Sequence, residues 1–394
     1  MAIDILAPRA PASGARAAES VRGLELVRRL DFVLVGAVLG LVAYGLWAIA
    51  GITKHDVPDN PNYYLVRQGV FAAVGLVLMV AAILVDPEVY RRNKKAIYTA
   101  TIGLMLLVFL AGGVARGSKR WIDVSFFRFQ PSEFGKLLLV LFLAAFLADR
   151  GRRINQVATP LAGVALASVL IVLVFAQPDI GSGLVYSAAL AAALFIAGTR
   201  WLHLAVLAAV AVLGALAVLW ILPSSGVQVL KPYQQDRLIS FTHPSDDPQG
   251  ATYNVNQSKT AVGAGGFDGR GVSGATQTNL HYLPEHATDF AFASLAEERG
   301  FVGAAFLLML YLLVVWRGLK IVTIAPSAFT AIAAGGIVAA FLFQVFVNVG
   351  MSIGIAPVTG IPLPLVSVGG SAIVANLAAM GVLLSIHARG RLRR

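Results

Sequence analysis

The chain has 394 residues, 58% of them hydrophobic and only 13% charged, with a mean hydropathy of +0.77. That composition leaves too little polar surface to coat a soluble enzyme of this size, so a water-soluble fold is excluded. The net charge of +11 would suit a nucleic-acid binder, but the basic residues cluster in short segments beside apolar runs. This is the pattern of membrane topology signals, and no nucleic-acid partner is expected.

Residues 1–29, rich in Ala, Arg and Pro, read as a mobile basic tail. Ten apolar windows follow, near 30–52, 65–85, 96–114, 134–148, 157–176, 180–198, 201–222, 291–316, 328–350 and 367–387. Most have the roughly 17 to 25 residues that a bilayer requires of a helix. A membrane β-barrel would instead show alternating segments of about 10 residues, whereas 161–176 and 202–222 are apolar on every face. The first window is longer than a signal-peptide core and has no convincing cleavage site, so it is expected to be retained as a span. The expected fold is therefore an all-α polytopic membrane protein of about ten helices, with one domain over 30–388 and a second basic tail over 389–394.

An even number of spans puts both termini on one side. Arg9, Arg16, Arg22, Arg28 and Arg29 precede the first window and Arg389, Arg391, Arg393 and Arg394 follow the last. Arg91, Arg92, Lys94, Lys95, Arg150, Arg152, Arg153, Arg200, Arg317 and Lys320 fall on the same face, making it cytoplasmic by the positive-inside principle. The long polar, Gly-rich segment 223–290, between the seventh and eighth windows, then faces outward. Loops of that length usually carry function. Within it, 253–263 fits a short amphipathic helix at the membrane surface.

Ionisable groups at the ends of spans are the functional pointers, because charge held in hydrocarbon costs several kcal/mol without a partner or water. Glu133 and Lys136, three apart, share a helix face and can pair. Asp179 sits in Q-P-D-I-G-S between two windows, and Asp289 sits in P-E-H-A-T-D-F where the eighth begins. For Glu133 and Asp179 the plain alternative is a helix-start acid facing the macrodipole. Asp289, flanked by Phe290 and Phe292 and closing the longest loop, has the setting of a general base at a cavity mouth. Glu297, Glu298 and Arg299 interrupt the eighth window and suit a solvated or inter-helix polar patch.

Three patterns carry no chemistry. Residues 350–354 read G-M-S-I-G, but a hydrolase elbow needs a strand before it. The run G-A-G-G-F-D-G-R-G has no βαβ unit around it. The six histidines show no metal-ligand spacing, His281 and His286 being five apart in a loop, so no metal residue and no cofactor are assigned; a divalent cation is left open.

Six motifs, in order, resemble the SEDS family of shape, elongation, division and sporulation proteins. They are R-W-I-D-V-S-F-F-R-F-Q-P-S-E-F-G-K (120–136), Q-P-D-I-G-S (177–182), Y-N-V-N-Q-S-K-T-A-V-G-A-G-G (253–266), L-P-E-H-A-T-D-F (283–290), A-E-E-R-G-F-V-G (296–303) and T-G-I-P-L-P-L-V-S-V-G-G-S (359–371). The Q-S-K and G-A-T-Q-T-N-L stretches are nearer the elongation branch than the division branch. The resemblance implies a peptidoglycan glycosyltransferase that polymerises lipid II on the outer face of the bacterial cytoplasmic membrane, beside a class B penicillin-binding protein that cross-links the glycan. It also implies Asp289 as the catalytic carboxylate, Glu133, Lys136 and Asp179 as cavity residues, and Arg120, Gln257 and Ser258 near the lipid-linked substrates. The family pattern H-T-D reads A-T-D here, with the histidine one place earlier at His286.

The reaction suits such a site. Joining a β-1,4 bond from an α-linked sugar pyrophosphate is one inversion, needing one base for the acceptor hydroxyl and cations for the departing pyrophosphate. A lipid II flippase is the rival, and predicts charges near the midplane and broken helices in corresponding repeats. A non-catalytic scaffold would leave the charged residues without a role.

Overall fold

The computed structural model of the protein describes residues 26, 28–115, 118–124, 127–226 and 252–390. Most of the two expected tails, 1–29 and 389–394, and the centre of the long loop, 227–251, lie outside the described residues. Helices α1 (Phe32–Ile52) and α2 (Tyr63–Leu84) lead through the short α3 (Pro87–Arg92) to α4 (Lys94–Ala111). A small antiparallel sheet, β1 (Gly113–Ala115), β2 (Ser118–Val124) and β3 (Phe127–Phe129), precedes α5 (Pro131–Asp149), α6 (Ala158–Ala176), α7 (Ile180–Ile196) and α8 (Trp201–Leu216). After the long loop come α9 (Tyr253–Gly265), α10 (Ala291–Ile324), α11 (Ala328–Ile353) and α12 (Gly370–Gly390).

Among the described residues, nine helices are long and apolar enough to cross a membrane, and α7, with 17 residues, is a shorter apolar helix. All ten expected windows are therefore helical. The β-sheet and α3 are not visible as hydropathy signals: β1 and β3 have three residues each, and α3 is a six-residue turn capped by Asp86 with Pro87 in its first turn.

Burial sorts the bundle. α12 is enclosed almost completely, α5 and α11 largely, while α8 has no buried residue and touches the core through the half-buried Leu204 and Leu207. Trp201 and Trp220, both exposed, mark the two ends of that last apolar segment. At 1.5 Å per residue they stand about 28 Å apart, the thickness of a hydrocarbon layer, with indole rings where membrane interfaces favour them. α2 and α12 approach through small residues: a Cβ on Gly75 would meet the Val374 backbone and the Leu377 side chain, and one on Gly381 would meet the Met79 backbone. Such contacts hold helices together in lipid, where the solvent gives no hydrophobic drive.

At the end of the bundle opposite Asp289, Arg317 grips Asp31 through two nitrogens, Nε at 2.8 Å and Nη2 at 2.5 Å from Oδ2, and His387 lies 3.7 Å from the same carboxylate. Asp31 also caps α1 through the Leu34 amide. One buried carboxylate thus joins α1, α10 and α12, at the end where Arg91 and Lys94 also pair with Asp149.

α10 is two helices joined at Gly300, whose φ of +64° and ψ of −164° break the helical path. The break is the physical content of the charged interruption in the sequence. Glu297, fully buried, accepts from the amides of Gln277 and Thr278 and from the Thr278 hydroxyl. Glu298, also buried, faces Arg299 at 3.8 Å. The patch is inter-segment rather than solvated. The freed backbone is taken up by the long loop: Arg270 N donates to Glu297 O, and the amides of Phe301 and Val302 donate to Gly266 and Phe267.

Candidate active site

Asp289 lies two residues before α10, with Phe290 in the cap position. Its side chain is half-buried and its backbone is held from several directions. Asp289 N donates to Glu285 O at 3.1 Å, closing the turn. The amide of Asn348, on α11, donates to Asp289 O and to Ile361 O, both at 2.8 Å. One residue earlier, the Ser367 hydroxyl donates to Thr288 O at 2.5 Å, and Val368 N donates to Ala287 O. Gln68 of α2 secures that strap, donating to Ser367 O and accepting from Gly369 N. The T-G-I-P-L-P-L-V-S-V-G-G-S motif is thus a backbone strap that fixes the carboxylate-bearing turn to α2 and α11.

The second cluster sits at the start of α5. Pro131 occupies the first helical turn, where its missing N–H costs nothing. Lys136 Nζ donates to Glu133 Oε2 at 2.7 Å and to Gln344 Oε1, on α11, at 2.9 Å. Both charged side chains are more than nine-tenths buried. They line a cavity of about 30 Å³ with Gln344, Asn376 and Met380. That is room for about one or two waters, well below the roughly 300–1,000 Å³ of ligand pockets.

Gln344 and Asn348 are four apart on α11 and share a face. The residue bonded to Lys136 lies one turn, about 6 Å along the axis, from the one bonded to Asp289. α11 is the element that relates the two clusters. Its polar pair sits within an otherwise apolar run, the readable signal that a search confined to ionisable residues passes over.

Asp179 takes the helix-start role: it caps α7 through Ser182 N at 3.0 Å. It also accepts from Gln130 Nε2 at 3.2 Å and Ser132 Oγ at 3.3 Å, so it joins α7 to the start of α5. Tyr186 reinforces the join by donating to Ser132 O. The sheet docks beside it through Phe127 against Phe71 and Phe129 against Phe134, and the Ser371 hydroxyl accepts from Gln130 N while donating to Arg128 O.

Arg120 lies on β2, its guanidinium 5.2 Å from the centre of the Trp121 ring. Gln257 and Ser258 are on α9, in the expected short helix, which packs on α10 and α11. Ser258 is fully buried and donates to Ser352 O at 2.8 Å, so its hydroxyl serves packing, and Gln257 is half-buried. The G-x-S-x-G match is a helix end: Ser352 bonds back to Asn348 O, and Gly354 caps α11 with φ +81°.

Residues 28–392 match the FtsW/RodA/SpoVE family, described as a cell cycle protein family. The chain belongs to this family. It is 37% identical over 360 residues to the peptidoglycan glycosyltransferase MrdB of Escherichia coli strain K12, covering 91% of this chain and 93% of that protein. Stage V sporulation protein E of Bacillus subtilis strain 168 is 35% identical over 369 residues, covering 92% and 98%. Among solved structures, a chain from a peptidoglycan synthase complex, described as coordinating polymerization and crosslinking, superposes with a TM-score of 0.78 at 30% identity, covering 92% of this chain and 98% of that one. Rod shape determining protein RodA of Thermus thermophilus superposes with a TM-score of 0.66 at 29% identity, covering 91% and 96%. Membership in the family agrees with the ordered motifs that fold into the strap, the α5 start and the Asp289 turn.

Proposed function

We propose that the chain is a peptidoglycan glycosyltransferase of the elongation type, polymerising lipid II with Asp289 as general base. The supporting observation is the Asp289 turn, a half-buried carboxylate whose backbone is held by Glu285 and Asn348 while neighbouring residues are held by the 361–369 strap. A base must be held within hydrogen-bonding reach of the proton it takes, and a fixed backbone sets where its side chain starts from. The acceptor 4-hydroxyl gives its proton to Asp289 as its oxygen attacks the donor anomeric carbon, and the bond to pyrophosphate breaks with inversion. The leaving group needs no second acid, only cationic stabilisation.

In this reading the Asp289 end faces outward, both termini are cytoplasmic, and the protein sits in the bacterial cytoplasmic membrane. The partner is a class B penicillin-binding protein, by analogy with the synthase complex that the chain resembles. Two lipid tails must reach the site sideways, which a helical bundle open to the bilayer permits and a soluble fold does not. The flippase reading gains little support: the paired charges lie in the first two turns of α5, and the helix break at Gly300 lies nine residues past the start of α10. The test is gel-resolved glycan formed from lipid II by the purified protein, alone and with a partner transpeptidase. No polymer under either condition, with lipid II translocation present instead, would replace this reading with the flippase.

A further inference from the structure

Outside the site just described, three metal-ligating side chains meet that the sequence keeps far apart. Asp56 comes from the connection between α1 and α2, and His281 and His286 come from the turn leading to Asp289. Each offers one ligand atom, and the three atoms lie within 4.8 Å of one another. His286 Nε2 is 3.0 Å from Asp56 Oδ1 and 3.2 Å from Oδ2. The two imidazole rings have centroids 5.3 Å apart, tilted by 51°. His286 is buried, Asp56 is half-buried and His281 is exposed, so the group opens to solvent on one side.

An Asp–His ion pair would explain the first two residues alone. It does not account for a second imidazole beside the first, carried at His281 on backbone with a φ of +55°. That conformation is unfavourable by about 1–2 kcal/mol for a residue with a Cβ. Two imidazoles and a carboxylate whose ligand atoms lie within 4.8 Å of one another converge as donors on one point. A divalent transition metal suits that point: two neutral imidazoles and a carboxylate are a ligand set for Zn²⁺ and its neighbours, with a water completing the shell. Magnesium and calcium prefer oxygen donors and would accept only one of the three.

We propose that Asp56, His281 and His286 form a binding site for one Zn²⁺-class ion that staples the α1–α2 connection to the turn bearing Asp289. With metal–ligand bonds of about 2.0–2.2 Å, tetrahedral ligand atoms lie about 3.3 Å apart. The Asp56–His286 contact is already at that spacing, so only His281, the exposed member, must move inward. The ion is a structural staple, not the base: it touches neither Asp289 nor the α5 pair. His55, which pairs with Asn279 at 3.1 Å, ties the same two segments together next to it. Metal binding here does not depend on the reaction carried out at Asp289.

The test uses the full-length protein in nanodiscs, stripped with chelator and titrated first with Co²⁺, whose visible absorption reports tetrahedral nitrogen and oxygen ligation, then with Zn²⁺ against a chelating dye. One equivalent should bind, and Zn²⁺ should raise the unfolding midpoint. His281→Ala, at an exposed position that does not threaten folding, should weaken binding by roughly 100-fold or more, as should Asp56→Asn, because each removes one of three ligands. Asp289→Asn should bind the metal as wild type does, whatever its effect on glycan synthesis. Absence of stoichiometric binding, or binding that survives both His281→Ala and Asp56→Asn unchanged, would overturn the site.

Discussion

Asn348 and Asp289 are 59 residues apart in sequence and joined by a 2.8 Å hydrogen bond from side-chain amide to main-chain carbonyl. The second amide hydrogen of Asn348 goes to Ile361, so one fully buried side chain holds the Asp289 turn and the strap at once. Truncation leaves two carbonyls without that donor, and a lost buried hydrogen bond is worth about 1–3 kcal/mol. Asn348→Ala should therefore lower the unfolding midpoint and reduce polymerisation roughly 10- to 100-fold, since small misplacement of a catalytic group is costly. Asn348→Asp should be worse, because it turns a carboxylate toward two carbonyl oxygens. Thermal unfolding and glycan assays on the same preparations check both, and undiminished polymerisation would remove Asn348 as a positioning residue.

Glu133 and Lys136 form a buried ion pair in the bundle interior, with Gln344 as third member. Removing one partner of such a pair is destabilising by about 3–5 kcal/mol, because the other charge is left buried. Glu133→Ala and Lys136→Ala should each lose stability and polymerising activity, and the double substitution should lose less than the two added together. Denaturant unfolding in detergent supplies the cycle. Strict additivity would mean that the two charges do not depend on one another.

Hydropathy made the helices legible because lipid demands long apolar runs, and all ten windows are helical. It could not say which face of each helix meets protein: α6 is apolar all round, yet buries Gly163, Ala167, Leu170 and Val174 and leaves Leu161 and Val172 outside. The sheet over 113–129 escaped for a different reason, two of its three strands having three residues each and β3 docking through Phe127 and Phe129. Local charge patterns were readable, as Glu133 with Lys136 and the break at Gly300 show. Relations across the chain were not. Asp56 and His286 are 230 positions apart, and Ser258, expected near substrate, spends its hydroxyl on Ser352 because α9 folds against α11.

Orientation is open to a direct chemical test, since the chain has no cysteine. Lys259 and Arg270, both exposed near the Asp289 end, should label from outside intact cells as single cysteines, while Arg92 and Arg152, exposed at the opposite end, should not. Labelling of position 152 by an impermeant maleimide would invert the assignment and place the Asp289 turn in the cytoplasm, where lipid II polymerisation could not take place as proposed.

The decisive substitution is Asp289→Asn. The amide matches the carboxylate in shape, and the bonds that hold the turn, from Asn348 to Asp289 O and from Asp289 N to Glu285 O, run through the main chain and survive the change. What is lost is the capacity to take a proton from the acceptor hydroxyl at neutral pH. Loss of a general base costs about a hundred- to ten-thousand-fold in rate, so the variant should fold, insert, keep its unfolding midpoint near wild type and make almost no glycan. Under a flippase mechanism lipid II translocation would be the activity lost, and under a scaffold role neither assay would move. Gel-resolved glycan from purified Asp289→Asn and wild type, at matched protein and partner concentrations, separates the three, and polymer at the wild-type level would exclude Asp289 as the base.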